Sequence, residues 1–345
     1  MNDKDPTAMD TSSPASPANG STAIAARNPR PGTVLRTLAA QKSLLGLLAL
    51  MAVISVLSPH FLTTENLLII LRQTSINAII AFGMTFVILT AGIDLSVGSI
   101  LALTGAVCAA LIGANFSLPI VLIATLALGA LLGAVSGLIV SVGRVQPFIA
   151  TLVAMTVLRG ATLVFTAGRP IDAGEGAAAD AFWHIGGGYL FGVPVPVILT
   201  GVVFLICWFV LSQMRFGRYV YAVGGSEQVA RLAGIDTGRI KVAVYAISGL
   251  LAALAGIVLT ARLQSAQPTA GTSYELDAIA AVVVGGTSLM GGRGTLFGTL
   301  VGALIIGVLN NALNLLDVSS YYQMIAKGAV ILLAVLVDSR GKATN

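Results

Sequence analysis

Ten runs of apolar residues follow one another through the chain, at 44–62, 76–91, 97–113, 118–142, 147–165, 193–212, 242–261, 277–290, 295–315 and 320–337. About 20 mostly apolar residues are needed to carry an α-helix across a hydrocarbon core of roughly 30 Å. Asp, Glu, Lys and Arg make up only 10% of the 345 residues; a water-facing surface needs about a quarter. The mean hydropathy is +0.94. The expected fold is therefore all-α: a polytopic membrane bundle of about ten transmembrane helices with glycine-broken segments, forming one membrane domain over 41–338. The run at 277–290 is the short, glycine-interrupted one, and an amphipathic stretch at 64–73 precedes the second run.

The basic residues punctuate these runs. Lys and Arg are retained on the cytoplasmic side. With the N-terminus inside, fourteen of the nineteen basic residues fall on inner segments, three (Arg72, Arg169, Arg262) on outer ones, and Arg159 and Lys327 within spans. Both termini are expected in the cytoplasm of a cell inner membrane, with an even number of spans. Residues 1–40, rich in Ala, Ser, Thr and Pro, have too little to bury and are expected to be a disordered cytoplasmic tail; residues 339–345 form the cytoplasmic end. No short apolar core follows Met1, so no secretory signal is read there. The loop at 166–192 is placed outside and the loop at 213–241, with five basic residues, inside.

Little here suggests chemistry. The sequence pI of about 9.4 does not indicate nucleic acid, because the basic residues form no solvated face interleaved with aromatics. Cys108 and Cys207 lie in apolar runs and read as small core residues. His60 and His184 lie in loops, far apart, without zinc-ligand spacing. No His-Glu-x-x-His and no Gly-x-x-x-x-Gly-Lys-Ser/Thr phosphate loop occurs. An enzyme, a resident cofactor or metal, and ATP hydrolysis by the chain itself are not expected.

Two glycine-rich segments resemble each other at an offset of 200 residues. Gly92-Ile93-Asp94-Leu95-Ser96-Val97-Gly98-Ser99 aligns with Gly292-Arg293-Gly294-Thr295-Leu296-Phe297-Gly298-Thr299. Repeats with glycine-broken helices are a common way for transporters to build a pathway; close helix packing is the competing reason for such glycines. The first segment, with Phe82-Gly83-Met84-Thr85-Phe86-Val87-Ile88-Leu89-Thr90-Ala91 ahead of it, resembles the signature of permease subunits of ribose-type ATP-binding-cassette importers. Gly143-Arg144-Val145-Gln146-Pro147-Phe148-Ile149-Ala150-Thr151-Leu152 and Gly285-Gly286-Thr287-Ser288-Leu289-Met290-Gly291-Gly292-Arg293-Gly294-Thr295 continue the likeness, which covers nearly everything from 44 to 338. The resemblance implies a monosaccharide permease that pairs with a second copy of itself, a cytoplasmic ATPase subunit and a periplasmic sugar-binding protein.

Members of that family dock a short cytoplasmic helix on the ATPase, and Gly224-Gly225-Ser226-Glu227-Gln228-Val229-Ala230-Arg231-Leu232-Ala233-Gly234-Ile235 resembles it. From the residues themselves, Ser226 can cap a short helix. Val229, Leu232 and Ala233 then form one apolar stripe, and Gly234 can end the helix in a left-handed cap. This stretch is expected to be the one amphipathic helix of the inner loop. The resemblance assigns ATPase coupling to Ser226, Glu227, Val229, Ala230, Arg231, Leu232, Ala233 and Gly234. Ser226 and Val229 depart from the Asn and Ala usual at those places, which alters packing detail. A helix lying on lipid headgroups is the competing reading.

Charge inside hydrocarbon is costly and turns toward the bundle interior. Arg159, near the outer end of its run, is expected to snorkel to the interface. Lys327 is expected to pair with a carboxylate or helix carbonyls. Asp94 reads either as an N-cap of the third span or, with Ser96, as part of a pathway. Asn77, Asn310 and Asn314 are further pathway candidates; interhelical hydrogen bonding explains them, Asn311 and Gln323 as well. An ion-coupled secondary transporter of a small polar solute is the alternative function. It calls for carboxylates at mid-span, and no Asp or Glu is placed there by the sequence.

Overall fold

The computed structural model describes residues 42–319, 321–326, 328, 329 and 332. The tail at 1–40, Lys327, half of the last apolar run and the end at 339–345 lie outside the described residues. The remainder is helical: α1 (Lys42–Leu57), α2 (Thr64–Leu89), α3 (Val97–Gly113), α4 (Leu118–Ser141), α5 (Pro147–Thr166), α6 (Ala177–Gly187), α7 (Val195–Ser212), α8 (Arg215–Gly225), α9 (Glu227–Leu232), α10 (Thr237–Leu263), α11 (Tyr274–Val284) and α12 (Leu296–Leu315). Two-residue strands form two small antiparallel pairs, β1 (Ile171–Asp172) with β4 (Ser265–Ala266) and β2 (Tyr189–Leu190) with β3 (Val193–Pro194). Among the described residues six helices, α2, α4, α5, α7, α10 and α12, are long and apolar enough to cross a membrane; α1 and α3 are shorter apolar helices. The chain is thus an all-α membrane bundle.

α2, α10 and α12 are largely buried, whereas α4, α5 and α7 present most of their surface outward. The α4–α10 contact is made by small residues. A Cβ on Gly129 would fall on the Ala253 side chain and one on Gly137 would lie 2.8 Å from the Val242 Cα, so the backbones touch. Lipid tails are as apolar as leucine, so close van der Waals contact carries the association. On Gly133, a Cβ would overlap the Tyr245 carbonyl oxygen, and no rotamer can relieve a clash with backbone. Gly133→Val is therefore expected to force the helices apart and cost about 1–3 kcal/mol or more, read as a lower unfolding midpoint in detergent. Gly201→Val, where nothing lies within 4 Å, should leave the midpoint in place.

Several expectations are corrected. The separate stretch at 64–73 and the second run are one 26-residue helix, α2. Arg72, Gln73, Thr74 and Ser75 interrupt the hydropathy but not the backbone ladder: the Ser75 hydroxyl donates to the Leu71 carbonyl at 2.7 Å, and Arg72 donates to the Tyr189 hydroxyl while lying 4.8 Å from its ring centroid. The eighth run begins earlier, at Tyr274, and its helix stops at Val284 because Gly286, Gly291, Gly292 and Gly294 all take positive φ. The loop at 166–192 contains α6, which carries His184. The inner loop holds two helices, not one: α8 precedes α9 and buries Gly217, Val220 and Val223 at spacings of three.

Arg159 does not snorkel. Its guanidinium donates at 2.8 Å to both the Pro268 and the Ala270 carbonyls, in the non-helical segment that leads into α11. It faces inward because those carbonyls have no helical partner, and a charged donor satisfies them better than a neutral one.

Candidate functional site

At one face of the bundle gather the α2–α3, α4–α5 and α11–α12 connections together with α8 and α9. Ser226 adopts an extended conformation (φ −164°, ψ 108°), and its hydroxyl accepts the Val229 N–H at 3.3 Å, which opens α9. Gly234 closes it at φ +82°, and the next amide, Ile235 N–H, returns to the Ala230 carbonyl at 3.0 Å. Such a left-handed C-cap suits glycine because no Cβ meets the preceding turn.

A six-residue helix cannot hold itself together in water, and two devices pin this one. Ala230 is 2% exposed, packed into the main core cluster. Glu227 accepts from Lys241 at 2.6 Å, from Thr237 at 3.2 Å and from Arg231 at 3.3 Å, tying α9 to the start of α10. The opposite face is bare: Val229 is 64% and Leu232 83% exposed, and Ala233 is exposed too.

Burial alone would raise the Glu227 carboxyl; the Lys241 hydrogen bond and charge, with Thr237 and Arg231, outweigh it and hold it below its ordinary 4.5. A carboxyl depressed in the folded state stabilises α9 above its unfolded value, and that stabilisation is lost as pH falls through the folded value. Amide exchange, corrected for its intrinsic pH dependence, is expected to show α9 losing protection below about pH 4.5, the unperturbed glutamate value. Glu227→Gln should lower protection already at neutral pH; unchanged protection in that variant would contradict the pinning role.

α8 ends against the end of α2 and the second glycine-rich segment. A Cβ on Gly224 would overlap the Leu89 carbonyl oxygen and lie 2.6 Å from the Gly292 nitrogen. The Gly292 N–H donates to that same Leu89 carbonyl at 3.0 Å, and the Tyr221 hydroxyl donates to the Gly294 carbonyl at 2.8 Å. Gly291 and Gly292 sit at φ +82° and +69°, which a side chain adopts only with strain. The Thr85 and Thr299 hydroxyls meet at 2.8 Å one turn away. The end of α2, which leads into the first of these segments, thus meets the second segment in space, and Gly224, two residues before the α9 cap, touches both.

The first segment dives into the bundle. Asp94 Oδ1 accepts from the Ser96 N–H at 3.0 Å and the Ser96 hydroxyl at 2.6 Å; Oδ2 accepts from the Ser248 hydroxyl at 2.8 Å. The Tyr245 hydroxyl donates to the Ile93 carbonyl at 3.2 Å. Ser248 lies eleven residues into α10, roughly 17 Å from its start at ~1.5 Å per residue. The N-cap position of α3 is Ser96, not Asp94; Asp94 serves the helix start from two residues back. Both Asp94 and Ser96 are fully enclosed. Beyond them Gly98 packs on Gly271, and a Cβ there would lie 2.8 Å from Glu275 Oε2, so the starts of α3 and α11 meet.

The pathway candidates are not gathered into one site. Asp94 and Ser96 share this node; Asn77 on α2 and Asn310 on α12 are partly buried, with no hydrogen bond to it among the described residues. Asn314 is exposed and accepts from Gln323 at 2.8 Å. Asn311 is explained by a reciprocal amide pair with Asn66, at 2.8 and 3.1 Å, joining α12 to α2. Sequence reasoning missed Tyr221, Lys241 and Ser248. Only the spacing of Gly217, Val220 and Val223 pointed toward a second helix in the loop. Among the described residues no group of three or more His, Cys, Asp and Glu can hold a metal ion.

This architecture, apolar spans broken by glycine segments with a short pinned helix at one end, defines a multi-pass membrane transport protein. Residues 66–335 match the family described as branched-chain amino acid transport system, permease component. The chain is 60% identical to the ribose import permease RbsC of Haemophilus influenzae over 88% of its own length and 94% of that protein. It is 55% identical to RbsC of Bacillus subtilis (87% and 92%), and 43% identical to the D-allose transport permease AlsC of Escherichia coli (84% and 88%). No solved structure matches. The chain belongs to this family of transport-system permeases and, like them, is a multi-pass inner-membrane protein.

Proposed function

We propose that this chain is the permease subunit of an ATP-binding-cassette importer that moves ribose or a related monosaccharide across the inner membrane. Identity at the 55–60% level to ribose permeases, sustained over nearly the whole chain, supports the substrate class. The observation that carries the mechanism is α9, pinned to the bundle through Ala230 and Glu227 while Val229 and Leu232 stand bare. A separate cytoplasmic ATPase receives that stripe, a periplasmic protein delivers the sugar, and two copies of the chain enclose the pathway. The full bundle has ten spans, counting the last apolar run, with both termini and α8–α9 in the cytoplasm.

The ion-coupled alternative gains two buried carboxylates, Asp94 and Asp277, yet Asp277 is engaged and both Asp94 oxygens are taken by seryl donors. Proteoliposomes holding the chain, its ATPase and its binding protein are expected to take up ribose only with ATP on the ATPase side, whatever the Na⁺ or proton gradient. Uptake driven by a gradient without the ATPase would replace this reading with the alternative. For topology, a cysteine at Ser226, in a chain lacking Cys108 and Cys207, should resist an impermeant external reagent in intact cells. Labelling there would invert the map.

A further inference from the structure

The face of α9 opposite its bare stripe borders a polar groove of about 690 Å³, walled by the end of α4, the α4–α5 connection and the start of α10. Its charged lining is Arg144, Arg231 and Lys241 against Glu227 and Asp236. Asp236 is taken by Arg239 at 2.9 Å, outside the groove, and Glu227 is shared between Arg231 and Lys241. Arg144 makes no ion pair among the described residues. The groove therefore carries cationic charge that the protein leaves unanswered. Ser141 lines it too, and its hydroxyl is shielded from solvent with no hydrogen-bond partner among the described residues, an uncommon and costly state for a buried polar atom.

The position of the groove is as informative as its charge. It sits where two membrane-length helices, α4 and α10, reach the end of their apolar stretch. Below it, Leu131, Val135, Leu138 and Val142 are all exposed at helical spacings, an outward apolar stripe along α4 that ends beside Ser141. A basic pocket at the headgroup level above an open apolar stripe is complementary to one kind of molecule, an anionic lipid.

We propose that this groove holds the phosphate of an anionic phospholipid, with an acyl chain along the α4 stripe. Arg144, Arg231 and Lys241 supply the charge, and the Ser141 side chain, turned into the groove, supplies a hydroxyl donor. Because Lys241 and Arg231 also hold Glu227, the lipid and the α9 anchor share the same cations, so the bilayer's composition sets how firmly α9 is held. The site lies on the other side of α9 from Val229 and Leu232 and does not depend on what docks there.

The test uses the purified full chain in neutral detergent, with dioleoyl phosphatidylglycerol as probe, followed by native mass measurement and thermal unfolding. Phosphatidylglycerol is expected to stay bound and raise the unfolding midpoint; phosphatidylcholine and soluble glycerol 3-phosphate at equal concentration should do neither. Arg144→Gln, at an exposed position, should unfold as wild type without lipid but bind phosphatidylglycerol roughly fivefold more weakly, the effect of about one headgroup-level cation. Arg144→Lys should recover most of the binding. Equal shifts from phosphatidylcholine, or undiminished phosphatidylglycerol binding by Arg144→Gln, would overturn the proposal. A full shift from glycerol 3-phosphate would also overturn it, by making the groove a free-phosphate site.

Discussion

Leu232→Asp is expected to reach the membrane in normal amounts and to lose ATPase association and sugar uptake together. Leu232 is 83% exposed, so the substitution removes no packing from the chain itself, and the fold should tolerate it. The α9 cap and anchor, Ser226, Ala230 and Glu227, are untouched. What is lost is apolar surface that a partner groove would bury. One such side chain contributes roughly 1.5–3 kcal/mol, and each 1.4 kcal/mol is a factor of about ten in affinity. Burying a carboxylate in the same place adds a desolvation cost, so association should weaken at least about tenfold. If α9 instead lay on lipid headgroups, the ATPase would still co-purify and only membrane stability would suffer. Co-purification at wild-type stoichiometry with unchanged uptake would remove the coupling role from this helix.

The parts of this molecule that were legible in the sequence are those set by solvent and by local backbone chemistry. Hydrocarbon demands long apolar runs, and α3, α4, α5, α7 and α12 lie within a few residues of where the runs place them. The ends of α9 were legible for a similar reason: a seryl cap and a glycine stop act within four residues of chain. The hydropathy dip at Arg72–Ser75 was misleading because a membrane helix needs its ladder intact, not unbroken apolarity, and the Arg72 and Ser75 side chains find acceptors. Arg159 was misread because its partners, the carbonyls at Pro268 and Ala270, lie more than a hundred residues away and become available only where the chain leaves helix. α8 was passed over because its inward face is made of Gly217, Val220 and Val223, too small and too few to register against its basic neighbours.

The offset repeat was visible as a pattern, but its consequence was not. That the end of α2, just ahead of Gly92–Ser99, would meet Gly292 beside the helix that precedes α9 depends on how α2, α8 and α12 are arranged. Asp94 shows the same limit. Its spacing from Val97 suggested a cap, while its second oxygen bonds to Ser248, 154 residues on.

Gly224→Val is expected to abolish uptake while the ATPase still binds, whereas Gly225→Val one residue on should be tolerated. The two glycines end the same helix and neither has a positive φ, so backbone conformation does not separate them. Space does: a Cβ on Gly224 would overlap the Leu89 carbonyl oxygen and press on the Gly292 nitrogen, while nothing lies within 4 Å of one on Gly225. The three nearest atoms are all backbone, so none can step aside by changing rotamer, and the hydrogen bond from Gly292 to Leu89 must break. α9 and its bare stripe lie beyond the clash and keep their own cap, which is why docking should survive. What is severed is the contact of the α8 end with the end of α2 and with the second broken segment, a link from α9 toward the starts of α3 and α12. Tyr221→Phe, which deletes only the hydroxyl bonded to the Gly294 carbonyl, should produce a partial version, with ATP turnover retained and uptake per ATP reduced. Measuring uptake and ATP hydrolysis together in proteoliposomes decides it. Equal uptake by the Gly224→Val and Gly225→Val chains would mean that the contact carries no motion.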